Sequence, residues 1–151
     1  MPKEFDKLTE AEQQQLLDAI PLITILIAGA DGEMDHNELK WAEKMTNIRS
    51  YDNNKLQEYF KMVGERFAPR IDELIQELPD DTEARQAILS NRLAALNPIL
   101  HKIDDFDAAI YYKNFRTFAK HVAESSGGLL RFLSIGPKEA ELIELPMLDE
   151  F

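Results

Sequence analysis

Apolar residues recur at helical spacing along almost the whole chain, and this pattern constrains the fold more than any other feature. Between Leu56 and Leu78 they follow one another at intervals of three and four residues, which places them on one face of an α-helix. These positions are Leu56, Phe60, Val63, Phe67, Ile71, Leu74 and Leu78. No two-residue turn between alternating apolar runs indicates a β-hairpin. We therefore expect an all-α fold, a compact bundle of about six to eight helices forming a single domain over residues 1–151.

Polar residues mark where three of the helices begin. Thr9 and Glu12 have the spacing of a capping box, and Asp35 and Glu38 repeat that spacing before a second helix. Asp52 is placed to cap a third helix. These acidic and hydroxyl side chains satisfy the backbone N–H groups that the first turn of a helix leaves without acceptors.

Proline residues predict bends and one helix start. Pro21, Pro69 and Pro98 each lie inside an apolar helical pattern, where proline should bend the helix. Pro137 follows a glycine and is expected at the first turn of the last helix. The run 20–30 is apolar on all sides, which is typical of a central buried helix, but it is far shorter than the ~20 residues of a membrane span.

Two more helices have apolar faces that we expect to be buried. The positions in the helix that begins near Asp35 are Leu39, Ala42, Met45 and Ile48. The positions in the helix from about Asp105 to Glu124 are Phe106, Ile110, Phe115, Phe118 and Val122.

Charge and cysteine content limit the classes of function. The net charge is −11 and the basic residues are dispersed among acids, so a nucleic-acid or anionic membrane surface would be repelled. A cation, or a protein partner with a basic surface, is favoured instead. The chain has no cysteine, which excludes disulfides, thiolate metal sites and cysteine nucleophiles. No signal peptide is visible in residues 1–8, so the cytoplasm is the expected location.

The segment 31–38, Asp-Gly-Glu-Met-Asp-His-Asn-Glu, is the main candidate site. Asp31, Gly32, Met34 and Glu38 match the order of residues in the second half of an EF-hand calcium loop. The first half is missing, because the corresponding earlier positions offer no side-chain oxygen. Half a loop remains, with carboxylate oxygens from Asp31 and Glu38. The same segment predicts a hard divalent cation of the calcium or magnesium type, with Glu33 and Asp35 as further ligands.

A purely structural interpretation of the same segment is open as well. In that interpretation Gly32 turns the chain, and Asp35 and Glu38 only cap and stabilise a helix N-terminus. A di-iron interpretation of Glu33 and His36 fails, because no second Glu-x-x-His follows elsewhere in the chain.

Other polar residues carry weaker signals. The three histidines, His36, His101 and His121, lack the motifs of hydrolases or metalloproteases and are expected at the surface or as caps. The acidic pairs at residues 80–81 and 104–105 fall where helices change, so we expect them to be N-caps.

The stretch 28–38, Ala-Gly-Ala-Asp-Gly-Glu-Met-Asp-His-Asn-Glu, resembles the TerB-like family of tellurite-resistance proteins. The later stretches 125–128 and 134–139 look like that family's second acidic helix start. The chain also has a faint internal repeat, in which residues 34–39 can be laid over residues 135–140. The resemblance implies an all-helical, weakly pseudo-twofold fold, a stress-response role, divalent-cation binding and no established catalytic activity. It carries the ligand role to Asp31 and Glu38, and from the second half to Glu139.

Three hypotheses follow from the sequence. The first is a TerB-like, non-catalytic module that binds a divalent cation through Asp31, Glu38 and Glu139. The second is a pure protein-interaction domain whose acids are helix caps. The third, an enzyme with a carboxylate site, is required by none of the motifs.

Overall fold

The computed structural model describes residues 1–30, 32, 34–52, 54–125 and 137–151, and for 137–139 it describes the backbone alone. Every regular element in these ranges is helical, which confirms the all-α prediction. After a 3-10 turn at Lys3–Lys7, the α-helices are α1 (Glu10–Leu17), α2 (Ala19–Ala28), α3 (His36–Tyr51), α4 (Gln57–Glu65), α5 (Phe67–Glu77), α6 (Thr82–Ala94), α7 (Leu96–Lys102), α8 (Asp105–Glu124) and α9 (Pro137–Ile143). When each bent pair (α1–α2, α4–α5 and α6–α7) is counted once, the described ranges hold six rods, within the predicted range.

The three bends lie where the prolines predict them, and all three have the same geometry. Pro21, Pro69 and Pro98 are each the third residue of the second helix in a bent pair. A proline has no N–H for the carbonyl four residues before it, and its ring clashes with that carbonyl. In each pair that carbonyl belongs to the last residue of the preceding helix, namely Leu17, Glu65 and Ala94. The missing hydrogen bond therefore sets the position of each break.

Helix α2 is the centre of the bundle. All of its residues are buried, and it packs against α3, α5, α6 and α8. The predicted face from Leu56 to Leu78 is buried at every position and belongs to the same core. In the part of the chain that the structure describes, no helix is both long and apolar enough to cross a bilayer.

Two apolar residues expected in the core are exposed. Ile48 is 48% exposed and Phe106 is 67% exposed. A step of three residues lags about 60° behind a full helical turn, so three such steps carry Ile48 to the side opposite Leu39. Phe106 lies nine residues before Phe115, which is about half a turn away on the helix surface. The predicted apolar faces of α3 and α8 therefore each combine residues from two different sides of the helix.

The cap expected for the third helix is wrong, whereas the first capping box is confirmed. Thr9 Oγ1 accepts from the Glu12 N–H, and Glu12 Oε1 accepts from the Thr9 N–H. Asp52 lies instead directly after the last residue of α3. Asn54 makes the turn into α4, since its Oδ1 accepts from the Leu56 N–H at 2.9 Å.

Candidate cation site at the corner between α2 and α3

A tight backbone turn joins the end of α2 to the start of α3. Gly32 has a φ of +100°, a conformation that residues with a side chain rarely adopt, and its N–H donates to Gly29 O at 3.1 Å. The Asp35 N–H donates to Ala28 O at 3.0 Å. These two bonds place the first turn of α3 beside the last turn of α2, as the Asp-Gly motif predicts.

The first turn of α3 holds the described acids of the motif. Asp35 Oδ1 accepts from the N–H groups of Asn37 at 2.9 Å and Glu38 at 3.1 Å, so the predicted capping role of Asp35 is confirmed. Glu38 is completely buried. Glutamate is rarely buried to this degree unless it is paired or binds a metal. Of the two described acids of the motif, Asp35 and Glu38, Glu38 is therefore the one that the fold constrains more.

Arg85, on α6, is a further residue of this corner that our sequence interpretation missed. Its Nη2 donates to Gly29 O at 2.9 Å, and only 8% of the residue is exposed. A Cβ on Gly29 would lie 3.0 Å from that Nη2 atom, so a larger residue here would crowd the Arg85 guanidinium. Arg85 stands four residues before the buried Leu89, on the apolar face of α6, and this position was the signal that could have revealed it.

The corner thus combines a buried carboxylate and a buried guanidinium. Among the described residues, no acceptor lies within hydrogen-bond distance of Arg85 Nε. Ala28 O and Gly29 O already accept hydrogen bonds from Asp35 and from Gly32 and Arg85. The oxygen donors best suited to a hard cation at this corner are therefore the carboxylates of the motif.

Three of the predicted ligands cannot be placed. Asp31 and Glu33 lie outside the described residues, and so does the side chain of Glu139, whose backbone is in the first turn of α9. Within the described ranges, no three His, Asp or Glu side chains come together as metal ligands. Of the predicted set, the structure places Asp35 and Glu38 in the same helical turn.

One cavity connects the α2–α3 corner with the last helix. Its volume is about 510 Å³, and α9 packs against α2 and α8 beside it. It is lined by Ala30 from the corner, by Thr82, Glu83, Gln86 and Ser90 of α6, and by Glu141, Leu142, Pro146 and Met147 at the C-terminal end. The corner and α9 therefore border the same space. The second half of the predicted repeat, residues 135–140, lies partly outside the described ranges, at residues 135–136.

The histidines have surface contacts only, as expected. His36 is exposed at the start of α3. His101 Nε2 lies 2.9 Å from Asp149 Oδ2, and His121 Nδ1 lies 3.4 Å from Arg49 Nη2. Among the described residues, none of the three belongs to a group of three or more His, Asp or Glu side chains that could hold a metal ion.

The other acidic pairs divide between capping and ion pairing. Asp81 caps α6 by accepting from the Ala84 N–H at 2.9 Å, as predicted. Asp104 precedes α8 but makes no side-chain cap, and its carboxylate binds Lys7 Nζ at 2.7 Å. The hydrogen bond from Lys7 lowers the pKa of Asp104 below its ordinary value. The capping expectation is therefore wrong for Asp104.

Comparison with known proteins finds no matching family model, no similar curated protein and no similar solved structure. The TerB-like resemblance accordingly depends on its motif residues alone.

Proposed function

We propose that the chain is a non-catalytic binding module that holds a divalent cation of the calcium or magnesium type at the α2–α3 corner. Asp31 and Glu38 are the principal ligands, and Glu33, Asp35 and Glu139 are further oxygen donors. The observation that carries the proposal is the complete burial of Glu38 beside the Gly32 turn. Burying an ionised carboxylate costs several kcal/mol unless opposite charge compensates it. Metal coordination is one of the settings in which a glutamate is found fully buried, and a cation shared by Asp31 and Glu38 would be of that kind.

The structure of the corner supports this function in two ways. The Gly32 turn and the Asp35 cap are fixed by hydrogen bonds to backbone groups, so the start of α3, which carries Glu38, is held beside the end of α2. Hard cations require six or more oxygens, and the cavity beside Ala30 leaves room for water molecules as additional ligands. The resemblance to the TerB-like family points to the same cation and to a stress-response role.

A second candidate is the protein-interaction domain without a metal, and Arg85 favours it. A guanidinium buried at the same corner can compensate a buried carboxylate without any bound ion. Asp35 is already a helix cap, as this candidate requires. The net charge of −11 supports a partner with a basic surface for either candidate.

Calorimetric titration with calcium, magnesium, manganese and zinc separates the two candidates. We expect the wild-type chain to bind one cation, and Asp31→Asn with Glu38→Gln to abolish the binding. Asp81→Asn is the matched control, because it also removes a capping carboxylate but on α6. It should bind the cation as the wild type does. Glu139→Gln should weaken binding if α9 supplies a ligand across the cavity.

Two results would reject the cation site. One is the absence of binding heat for all four metals in the folded wild-type chain. The other is an unchanged titration in the Asp31→Asn, Glu38→Gln double variant, which would leave these acids with a capping role only.

A further inference from the structure

Helix α3 exposes a stripe of large apolar side chains to solvent. Trp41 is 41% exposed, Ile48 is 48% exposed and Tyr51 is 84% exposed. These account for three of the six large hydrophobic residues that are exposed in the described ranges. Single exposed apolar residues are ordinary, but a contiguous row along one helix is typical of an interaction surface.

The spacing along the stripe is that of a helix-pairing seam. Asn37, Trp41, Lys44, Ile48 and Tyr51 follow one another at alternating intervals of four and three residues. This is the spacing of the a and d positions of a coiled coil, which face a second helix. α3 is 16 residues long, so the stripe runs along most of a rod of about 24 Å. The side of the helix that carries Ala42 and Met45 is already buried in the core.

The charge of this face differs from that of the chain as a whole. Lys44 is the only charged residue of the stripe, and its Nζ lies 5.7 Å from the centre of the Trp41 ring. Lys40 lies on the same exposed side. Glu43 is exposed on the far edge, and Asp52 follows the end of the helix. In a chain of net charge −11, the middle of this surface is therefore locally basic.

The position of Lys44 argues against a second copy of this chain as the occupant. Lys44 is the central residue of the stripe, with Asn37 and Tyr51 seven residues away on either side. A parallel, in-register pair of α3 helices would place one Lys44 against the other, and an antiparallel pair would place each Lys44 against an apolar residue of the other helix. Like charges at a desolvated seam are unfavourable, so the stripe suits a helix that presents an acid at that point.

We propose that the stripe formed by Asn37, Trp41, Lys44, Ile48 and Tyr51 binds an amphipathic helix of a partner protein. The partner helix carries an acidic side chain opposite Lys44 and apolar side chains opposite Trp41 and Ile48. This surface uses the exposed side of α3, whereas Glu38 is buried, and it adjoins the proposed cation site only at Asn37, whose backbone N–H donates to Asp35. It also differs in chemistry from the remaining acidic surface, which suits basic partners.

The experiment uses two helical peptides of about 21 residues, three heptads long, that differ at one position. Both carry leucine at the seam positions, and the central residue is glutamate in one and lysine in the other. Trp41 is the only tryptophan of the chain, so its emission reports binding at the stripe directly. We expect a blue shift with the glutamate peptide and at least tenfold weaker binding of the lysine peptide. Lys44→Glu should reverse this order.

Matched variants test the apolar part of the surface. Ile48→Ser should weaken binding of the glutamate peptide at least tenfold. Ile88→Ser removes an isoleucine of similar exposure, 39%, on α6 and should leave binding unchanged. Circular dichroism checks that each variant is folded. If a serine variant does not fold, Lys44→Glu, which changes only the surface, still tests the proposal.

Several outcomes would overturn the proposal. The two peptides could bind the wild-type chain equally, or Lys44→Glu could leave their order unchanged. A further contradicting result is that neither peptide shifts the Trp41 emission. A concentration-dependent dimer in sedimentation that Ile48→Ser dissociates would make a second copy the occupant. Blue-shifted emission with phosphatidylserine vesicles but not with the peptides would assign the stripe to a membrane surface.

Discussion

Arg85 and Gly29 are joined by a 2.9 Å hydrogen bond from a guanidinium N–H to a backbone carbonyl, across 56 residues of sequence. The bond ties α6 to the end of α2 at the point where the acidic motif begins. The corner is therefore held by the tertiary structure as well as by its own turn. Its glycines and its arginine are the residues through which the arrangement can be tested.

Substitution of the corner glycines should destabilise the fold. A Cβ on Gly29 would meet Arg85 Nη2 at 3.0 Å, and any side chain at Gly32 would be strained by its φ of +100°. We expect Gly29→Ala and Gly32→Ala each to lower the free energy of unfolding by about 1–2 kcal/mol in urea titrations. Gly64→Ala is the control, because Gly64 lies inside α4 and its nearest new contact is 3.4 Å. It should be neutral or stabilising by up to about 1 kcal/mol, and a larger loss there would contradict this account.

Removal of the Arg85 charge should affect stability and cation binding in opposite directions. Arg85→Met keeps most of the buried volume but loses the charged hydrogen bond to Gly29 O, which should cost about 1.5–3 kcal/mol. A neutral side chain no longer repels a bound cation, so calorimetry should show tighter calcium binding in the folded variant. Weaker or unchanged calcium binding would show that the positive charge of Arg85 does not repel a cation bound at this corner.

The buried ion pair between Asp18 and Arg70 should matter far more than a neighbouring exposed one. Arg70 donates to both carboxylate oxygens of Asp18, at 2.9 and 2.8 Å, and Asp18 is only 5% exposed. The hydrogen bonds to this carboxylate raise the pKa of Arg70 above its ordinary value. Asp18→Ala leaves Arg70 with the more exposed Glu73 as its remaining carboxylate partner, and the loss of two charged hydrogen bonds should cost about 1.5–3 kcal/mol of unfolding free energy.

The control for that pair is Arg66, which binds Glu73 at 2.8 Å on the surface. Arg66→Gln should change the free energy of unfolding by no more than about 1 kcal/mol. Equal losses in Asp18→Ala and Arg66→Gln would mean that burial does not set the strength of these pairs.

Protonation of Glu12 at acidic pH should remove part of the stability of the fold. The hydrogen bond from Lys102, together with the Thr9 N–H, lowers the pKa of Glu12 in the folded chain below its ordinary value. A carboxyl with a lowered folded pKa stabilises the fold above its unfolded pKa, and the contribution is lost as the pH falls through the folded value. We expect urea midpoints measured from about pH 6 to pH 3 to fall less steeply in Glu12→Gln than in the wild type. Parallel curves would contradict this assignment.

The sequence predicts the local features of this fold better than the distant contacts. Each proline removes one specific hydrogen bond, and the Thr9 capping box involves residues only three apart, so the bends and this cap follow from neighbouring residues. The face of a helix is harder to predict, because intervals of three drift around the axis. Because of that drift, Ile48 was wrongly expected in the core, whereas the structure shows it exposed, as part of the stripe on α3.

In the candidate site, too, the local features were predictable from the sequence and the distant contacts were not. The turn at Gly32 and the cap at Asp35 were predictable from the motif, since both depend on local backbone geometry. The position of Arg85 on the apolar face of α6 indicates its burial, but its acceptor was not predictable, because Gly29 O is a backbone carbonyl just after α2 and no side-chain pattern marks a carbonyl. The complete burial of Glu38 likewise results from the packing of several helices.

The most direct test of the central claim is a crystal structure of the chain grown with manganese, which replaces calcium or magnesium and scatters anomalously. The account predicts a strong anomalous peak at the α2–α3 corner, in contact with the carboxylates of Asp31 and Glu38. The same crystals of the Glu38→Gln variant should lack that peak. A wild-type map with no peak at the corner, and with the Arg85 guanidinium paired to Glu38, would contradict the claim and assign the corner to a built-in ion pair.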